Sequence, residues 1–193
     1  MCGRYTLSQV SDVNNKYGIS IKANFNIAPS QSILAITENF NKPKFMKWGY
    51  SPSWSERSFI IINARRETLG LKPAFKNAKR CAVIADGWYE WKKDGTKKIP
   101  FFFHLKGQTF FIGGIYNSSG CSLVTAAAEN HIAQIHHRQP LLLDDNQLTN
   151  WIEGENFFET DLINEIELYP VENYVNSPNN NDARCIQPLV KQV

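Results

Sequence analysis

Apolar side chains in this sequence gather in short runs of five to eight residues, broken by polar turns, over most of its length. Runs of that size, rich in β-branched and aromatic residues, predict strands at 32–36, 44–49, 59–64, 81–86, 88–92, 100–105, 109–116 and 121–128. The DGT triplet at 94–96, flanked by lysines, predicts a hairpin turn between the fifth and sixth of these runs. Helical spacing is scarcer. Ser8 is placed to cap a helix ending near Tyr17, and short helices are predicted at 73–78, 130–135, 145–152 and 160–166. Strands follow one another without regularly intervening helices. The pattern therefore predicts one α+β domain over residues 1–193: a mostly antiparallel curved sheet or open barrel with short peripheral helices. A loop at 176–182 precedes the last apolar segment.

Composition narrows the class. The chain has 193 residues, among them 12 Phe, 5 Trp and 7 Tyr, enough large apolar side chains to build a core and exclude general disorder. No apolar run approaches the ~20 residues of a membrane span, and the first ten residues hold no signal-peptide core. A cytoplasmic location without a membrane partner is expected. The four cysteines, at 2, 81, 121 and 185, form no CxxC pair, so they are expected to be reduced, with no metal site. Neither GxGxxG nor GxxxxGK[ST] occurs, and no cofactor is expected.

Charge adds a partner. The formal net charge is only +3, but residues 42–98 carry 14 Lys/Arg against 5 Asp/Glu, while 139–172 carry nine acids and no Lys or Arg. The basic stretch is also aromatic. Basic side chains hold phosphates and exposed rings stack on bases, so this composition suits single-stranded nucleic acid. Most rings in the stretch belong to a core; Trp54, close to Pro52 in a polar loop, is the one expected to be exposed.

The start of the chain supplies a reactive group. Cys2 follows Met1, and loss of the methionine leaves a 1,2-aminothiol. An α-amine has a pKa of about 7.8, so roughly a third is neutral at pH 7.5, against roughly 0.1% of an ordinary lysine. A neutral amine attacks an aldehyde to give an imine, and the adjacent thiol can close on the imine carbon as a five-membered thiazolidine. Alternatively the thiol attacks an amide with the amine as its base. Partners are available elsewhere. Glu90, flanked by Trp88, Tyr89 and Trp91, is suited to proton transfer if burial raises its pKa. Asn63 and Arg65 follow an apolar run, where the amide can orient a hydroxyl and the guanidinium can grip a phosphate. His136, His137 and Arg138 precede another apolar run, and a histidine there can shuttle protons.

The segments MCGRYTL, NIAPSQ, MKWGYSPSW, INARRET, CAVIADGWYEWK, VTAAA and IHHRQPLLL occur in this order. Together they resemble the SOS-response-associated peptidase family, from Cys2 to about residue 190. The resemblance implies a basic single-stranded DNA channel and a monomer acting on abasic sites, in a bacterial cytoplasm at the nucleoid. It implies Cys2 as the nucleophile that crosslinks to the ring-opened sugar, with Asn63 positioning amine and sugar, Glu90 moving protons, and His136 assisting ring opening and reversal. It implies Arg4, Arg65 and Arg138 as phosphate ligands, Thr125 near the crosslink, and Trp54 and Trp91 as channel aromatics. The family pattern carries Asp where this chain has His137. Two other readings use the same residues: an N-terminal-nucleophile peptidase, which includes self-removal of Met1, and a non-covalent single-strand binder.

Overall fold

The computed structural model describes residues 2–55, 59–155 and 160–189. Its strands, in chain order, are β1 (Arg4–Leu7), β2 (Asn24–Ile27), β3 (Ser32–Ile36), β4 (Lys44–Lys47), β5 (Asn63–Arg65), β6 (Lys79–Ala85), β7 (Gly87–Asp94), β8 (Lys97–His104), β9 (Phe110–Asn117), β10 (Gly120–Ala127), β11 (Arg138–Pro140), β12 (Leu142–Leu143) and β13 (Glu167–Pro170). Helices are few: α1 (Val10–Tyr17), α2 (Asp145–Glu153) and α3 (Leu162–Glu165), with several single 3₁₀ turns. The strands make two sheets. One has five strands in the order β13-β8-β7-β1-β2; the other has eight, along the path β11-β10-β9-β6-β3-β4, with β12 on β9 and β5 on β10. All these ladders are antiparallel except β10 with β5. This is the mostly antiparallel α+β arrangement that the sequence predicts.

The run at 81–86 explains the layering. Residues Cys81–Ala85 of β6 are all buried, as a strand covered on both faces must be. Helix α2 covers one side: it opens on an Asp144–Gln147 capping box, and its Trp151 indole donates to the Cys81 carbonyl at 2.7 Å. The chain then leaves the larger sheet and enters the smaller one through Asp86 and Gly87. Gly87 is there for space, because an added Cβ would lie 2.5 Å from the Phe102 ring and 2.7 Å from the Phe103 carbonyl oxygen. The Asp86 carboxylate ties this corner to the start of the chain, accepting bonds from the Thr6 hydroxyl and from the Ser8 and Gln9 backbone N–H groups. Ser8 is therefore spent on Asp86 and does not cap α1; the N-cap is Gln9, without a side-chain bond.

The larger sheet curls strongly. Trp48, just after β4, forms a bridge to Cys121 of β10, and the Gly49 N–H donates to the Cys121 carbonyl at 2.7 Å. Gly120 permits the approach: its φ is +145°, and a Cβ there would lie 2.5 Å from the carbonyl oxygens of Lys47 and Gly49. The sheets nonetheless stay open. Trp48, Trp88 and Trp151 are fully buried, and Trp88 stacks on Phe103 at 4.8 Å.

Several expected elements are corrected by the structure. Of the run at 59–64, only the end enters β5; Phe59 and Ile60 are exposed, and Ile61 makes a single bridge with Tyr50. The expected helices at 73–78 and 130–135 shrink to the 3₁₀ turns Pro73–Phe75 and Ile132–Gln134, since too few residues there find an apolar surface to pack on. No helix among the described residues is long and apolar enough to cross a membrane.

Candidate active site

Strand β1 lies between β7 and β2, with Arg4 opposite Tyr89 and Tyr5 opposite Trp88. This register carries the start of the chain toward Glu90. Cys2 is fully buried. Burial pushes its thiol well above the usual cysteine range, and the neighbouring Glu90 carboxylate adds to this, so sulfur is held as the neutral thiol. Its carbonyl accepts a 2.8 Å bond from the Asn63 side-chain N–H. Asn63 begins β5, the strand laid parallel on β10, so the larger sheet delivers it to the N-terminus. The Asn63 Oδ1 is buried and has no hydrogen-bond partner among the described residues. An acceptor without a partner among the described residues is available to a substrate N–H or O–H.

Glu90 is 2% exposed. Burial pushes its carboxyl up to about 7, where it can both accept and donate a proton near neutrality. Of the flanking rings, only Trp88 shares its face of the strand; Tyr89 and Trp91 lie on the other. His136 Nδ1 approaches Glu90 Oε1 at 3.8 Å. The imidazole is oriented by the backbone of Arg138, whose carbonyl and N–H lie 3.0 and 3.1 Å from Nδ1. Burial lowers the His136 pKa, which favours the neutral ring. His137 is exposed, with its ring 4.4 Å from that of His136.

The three arginines differ. Arg65 is exposed, and its guanidinium makes no hydrogen bond or ion pair among the described residues. Arg4 is part-buried and spans β1 to the C-terminal segment, donating to Asn26 Oδ1 at 3.0 Å and to the Val175 carbonyl at 2.9 Å. Arg138 is 7% exposed and its fork is filled by Glu67, at 2.9 and 3.1 Å. Its Nη2 also donates to the Thr125 carbonyl, at 2.6 Å, and to the Thr125 hydroxyl at 3.2 Å. Thr125 is itself fully buried on β10.

Gly3, Arg4, Glu90, Trp91, Lys98, His136 and Asn176 line a cleft of about 550 Å³. The Trp91 indole donates to Asn176 Oδ1 at 2.8 Å. Trp54 is 67% exposed but lies in another depression, with Tyr50, Pro52 and Lys76. The structure thus gathers Cys2, Asn63, Glu90, His136, Arg4 and Trp91, sets Thr125 and Arg138 behind them, and places Trp54 apart.

Residues 1–178 match the family described as SOS response associated peptidase (SRAP). The chain belongs to the SRAP family. It is 32% identical to the abasic site processing protein YoaM of Bacillus subtilis, covering 96% of this chain and 97% of that one. Identity is also 32% to the abasic site processing protein YedK of Escherichia coli, covering 98% and 100%. The abasic site processing protein HMCES of Gallus gallus is 27% identical over 75% of this chain and 56% of its own length. Among solved structures, a Bacteroides thetaiotaomicron protein superposes with a TM-score of 0.77 at 21% identity, covering 98% of this chain and 100% of that one. Sequence reasoning missed several neighbours of these side chains. Glu67 was visible only as part of INARRET, and its partner Arg138 lies 71 residues away. Lys98 and Asn176 line the cleft, and no local pattern marks either.

Proposed function

We propose that this chain binds single-stranded DNA at an abasic site and crosslinks the lesion to Cys2 as a thiazolidine. The observation that carries the reading is the burial of Cys2 against Asn63, beside a carboxyl held near neutrality and an oriented imidazole. The names of the relatives point to the same lesion.

Met1, which lies outside the described residues, must first be lost so that Cys2 carries an α-amine. The amine attacks the C1′ aldehyde of the open sugar and gives a carbinolamine. Glu90, as the acid, protonates the departing hydroxyl, and water leaves to form the imine. The Cys2 sulfur then adds to the imine carbon and its proton goes to nitrogen. One water is released overall, and no oxidant or reductant is consumed. The orphan Asn63 oxygen receives a hydrogen bond from the amine or a sugar hydroxyl. His136 relays protons at the sugar oxygen during opening and at the ring during reversal. Its orientation by Arg138 and its approach to Glu90 support it over His137 for this work. Arg65 and the free edge of Arg4 hold phosphates, and Trp91 offers a ring to a base. In place of a phosphate contact, Arg138 serves the site by fixing His136.

Intact-mass spectrometry of the protein mixed with an abasic oligonucleotide tests the proposal. The expected product is a stable adduct equal to the sum of the two masses less one water. A cleaved peptide without an adduct would mark a peptidase, and unchanged masses a non-covalent binder; either overturns the reading.

A further inference from the structure

The NIAPSQ segment contributes no residue to the chemistry above, yet its first residue is the hub of one cleft wall. Asn26, on β2, is 1% exposed. Its Oδ1 accepts from Arg4 Nη1 at 3.0 Å. Its Nδ2, with two hydrogens to share, lies within hydrogen-bond distance of three carbonyls of the C-terminal segment: Val175 at 3.1 Å, Ser177 at 2.9 Å and Asn180 at 2.8 Å. Arg4 binds the same segment, donating from Nη1 to the Val175 carbonyl at 2.9 Å and from Nη2 to the Asn176 carbonyl at 3.4 Å. Asn176 then accepts the Trp91 indole at 2.8 Å. One buried amide therefore ties together Arg4 and the loop carrying Asn176, and Arg4, Asn176 and Trp91 all line the cleft.

Hydrogen counting shows what this leaves for a ligand. A guanidinium has five N–H donors. Both Nη1 hydrogens and one Nη2 hydrogen of Arg4 are used within the described residues. The Nε–H and the second Nη2 hydrogen remain, and they form one edge that matches two phosphate oxygens. An arginine held by neutral oxygens keeps its full charge for that phosphate. Arg138, whose fork is closed by Glu67, does not. Holding the side chain in advance also lowers the entropy lost when DNA arrives.

We propose that Asn26 is a positioning residue for DNA binding: its amide presets Arg4 and the 175–180 loop, so that the remaining Arg4 edge meets a backbone phosphate of the bound strand. This rests on the reading of the cleft as a single-stranded DNA site. The C-terminal loop is then a structural wall of that site, with Trp91 and Asn176 aligned by the same anchor.

The test measures binding of an undamaged single-stranded oligonucleotide, so that no crosslink forms, by fluorescence anisotropy over a range of salt. Full-length wild type, Arg4→Ala, Asn26→Ala and the double variant are compared, with near-ultraviolet circular dichroism reporting the fold. Losing one phosphate contact flattens the plot of log K against log salt by about 0.7. Each single variant is expected to show that change, and the double variant the same change and no more. If Asn26→Ala does not fold, Asn26→Thr, which retains strand propensity but not the amide, carries the same expectation. A wild-type slope in the Asn26 variant beside a flattened Arg4→Ala slope overturns the positioning role, whatever happens to melting temperature. A double variant flattened by about 1.4 makes the residues independent and overturns it too. An unchanged slope in Arg4→Ala itself instead refutes Arg4 as a phosphate ligand, and the proposal falls with it.

Discussion

Glu90 and Glu67 stand on either side of the His136–Arg138 segment, and the fold treats them oppositely. Glu90 is 2% exposed, and burial raises its carboxyl to about 7. Burial also works against the charge of Glu67, but the paired bonds from Arg138 prevail and hold that carboxyl below its usual range. Glu67 keeps 53% of its side-chain surface exposed. The same side chain is thus a titrating carboxyl at the cleft floor and a fixed anion outside the cleft, where Glu67 lines a separate depression with Arg66 and Lys72. The determinant is not sequence context, since each glutamate lies within a residue or two of basic residues or aromatics. It is whether a guanidinium reaches the carboxylate. Arg138 serves both regions, its side chain bonded to Glu67 and its backbone to His136.

The largest expected effect falls on the floor. Glu90→Gln keeps shape and removes the titration, and crosslinking should slow by about 10²–10⁴. Its stability should move the other way. The folded-state pKa of Glu90 lies above the unfolded value, so the folded protein binds more protons between about pH 4.5 and pH 7. Wild-type stability therefore falls as pH rises through that window, by about 3 kcal/mol at most. The variant should lose this dependence and melt above wild type at pH 8. Urea titrations at pH 5 and pH 8 check it; a variant less stable at pH 8 would show that the carboxylate is compensated.

A smaller effect is expected at His136. His136→Ala should slow transfer of the crosslink to a competing abasic strand at least as much as its formation, by roughly tenfold or more. His137→Ala, on the exposed ring, should match wild type in timed gels. The reverse pattern would move the proposed proton relay to His137, away from the imidazole that the Arg138 backbone orients.

The smallest effect belongs to Glu67. Glu67→Gln leaves the Arg138 fork without its anion and should cost about 1–2 kcal/mol. That loss should appear at pH 7 and vanish at low pH, because the lowered carboxyl contributes stability only above the ordinary glutamate range and loses it as pH falls through its folded pKa. Thermal melts at pH 7 and pH 3 distinguish this from a pH-independent packing defect.

The contrast between Glu90 and Glu67 also divides what the sequence revealed. The long apolar runs read correctly as β6 to β10, and in β6, β9 and β10 burial on both faces demands continuous apolar chain. Glu90 was legible for a related reason: an acid within an aromatic strand has few ways to reach water. Strands β1 and β2 were not, since four residues such as RYTL or NFNI carry too little periodicity, and tertiary partners decide them. The partners of Glu67 and Asn26 were illegible for lack of locality. Glu67 meets Arg138 across 71 residues, and Asn26 meets the C-terminal loop across 149 or more. Arg138, expected at a phosphate, is internal because Glu67 and Thr125 claim it first.

In the proposed reaction Cys2 alone forms the crosslink, through both its amine and its thiol. Proteolysis of the adduct followed by tandem mass spectrometry tests this. One modified peptide is expected, beginning at Cys2, with the sugar remnant on that residue and the thiol no longer alkylatable by iodoacetamide. Cys2→Ala should yield no adduct that survives heating without borohydride. A remnant on any lysine, or a heat-stable adduct in Cys2→Ala at wild-type yield, would contradict it.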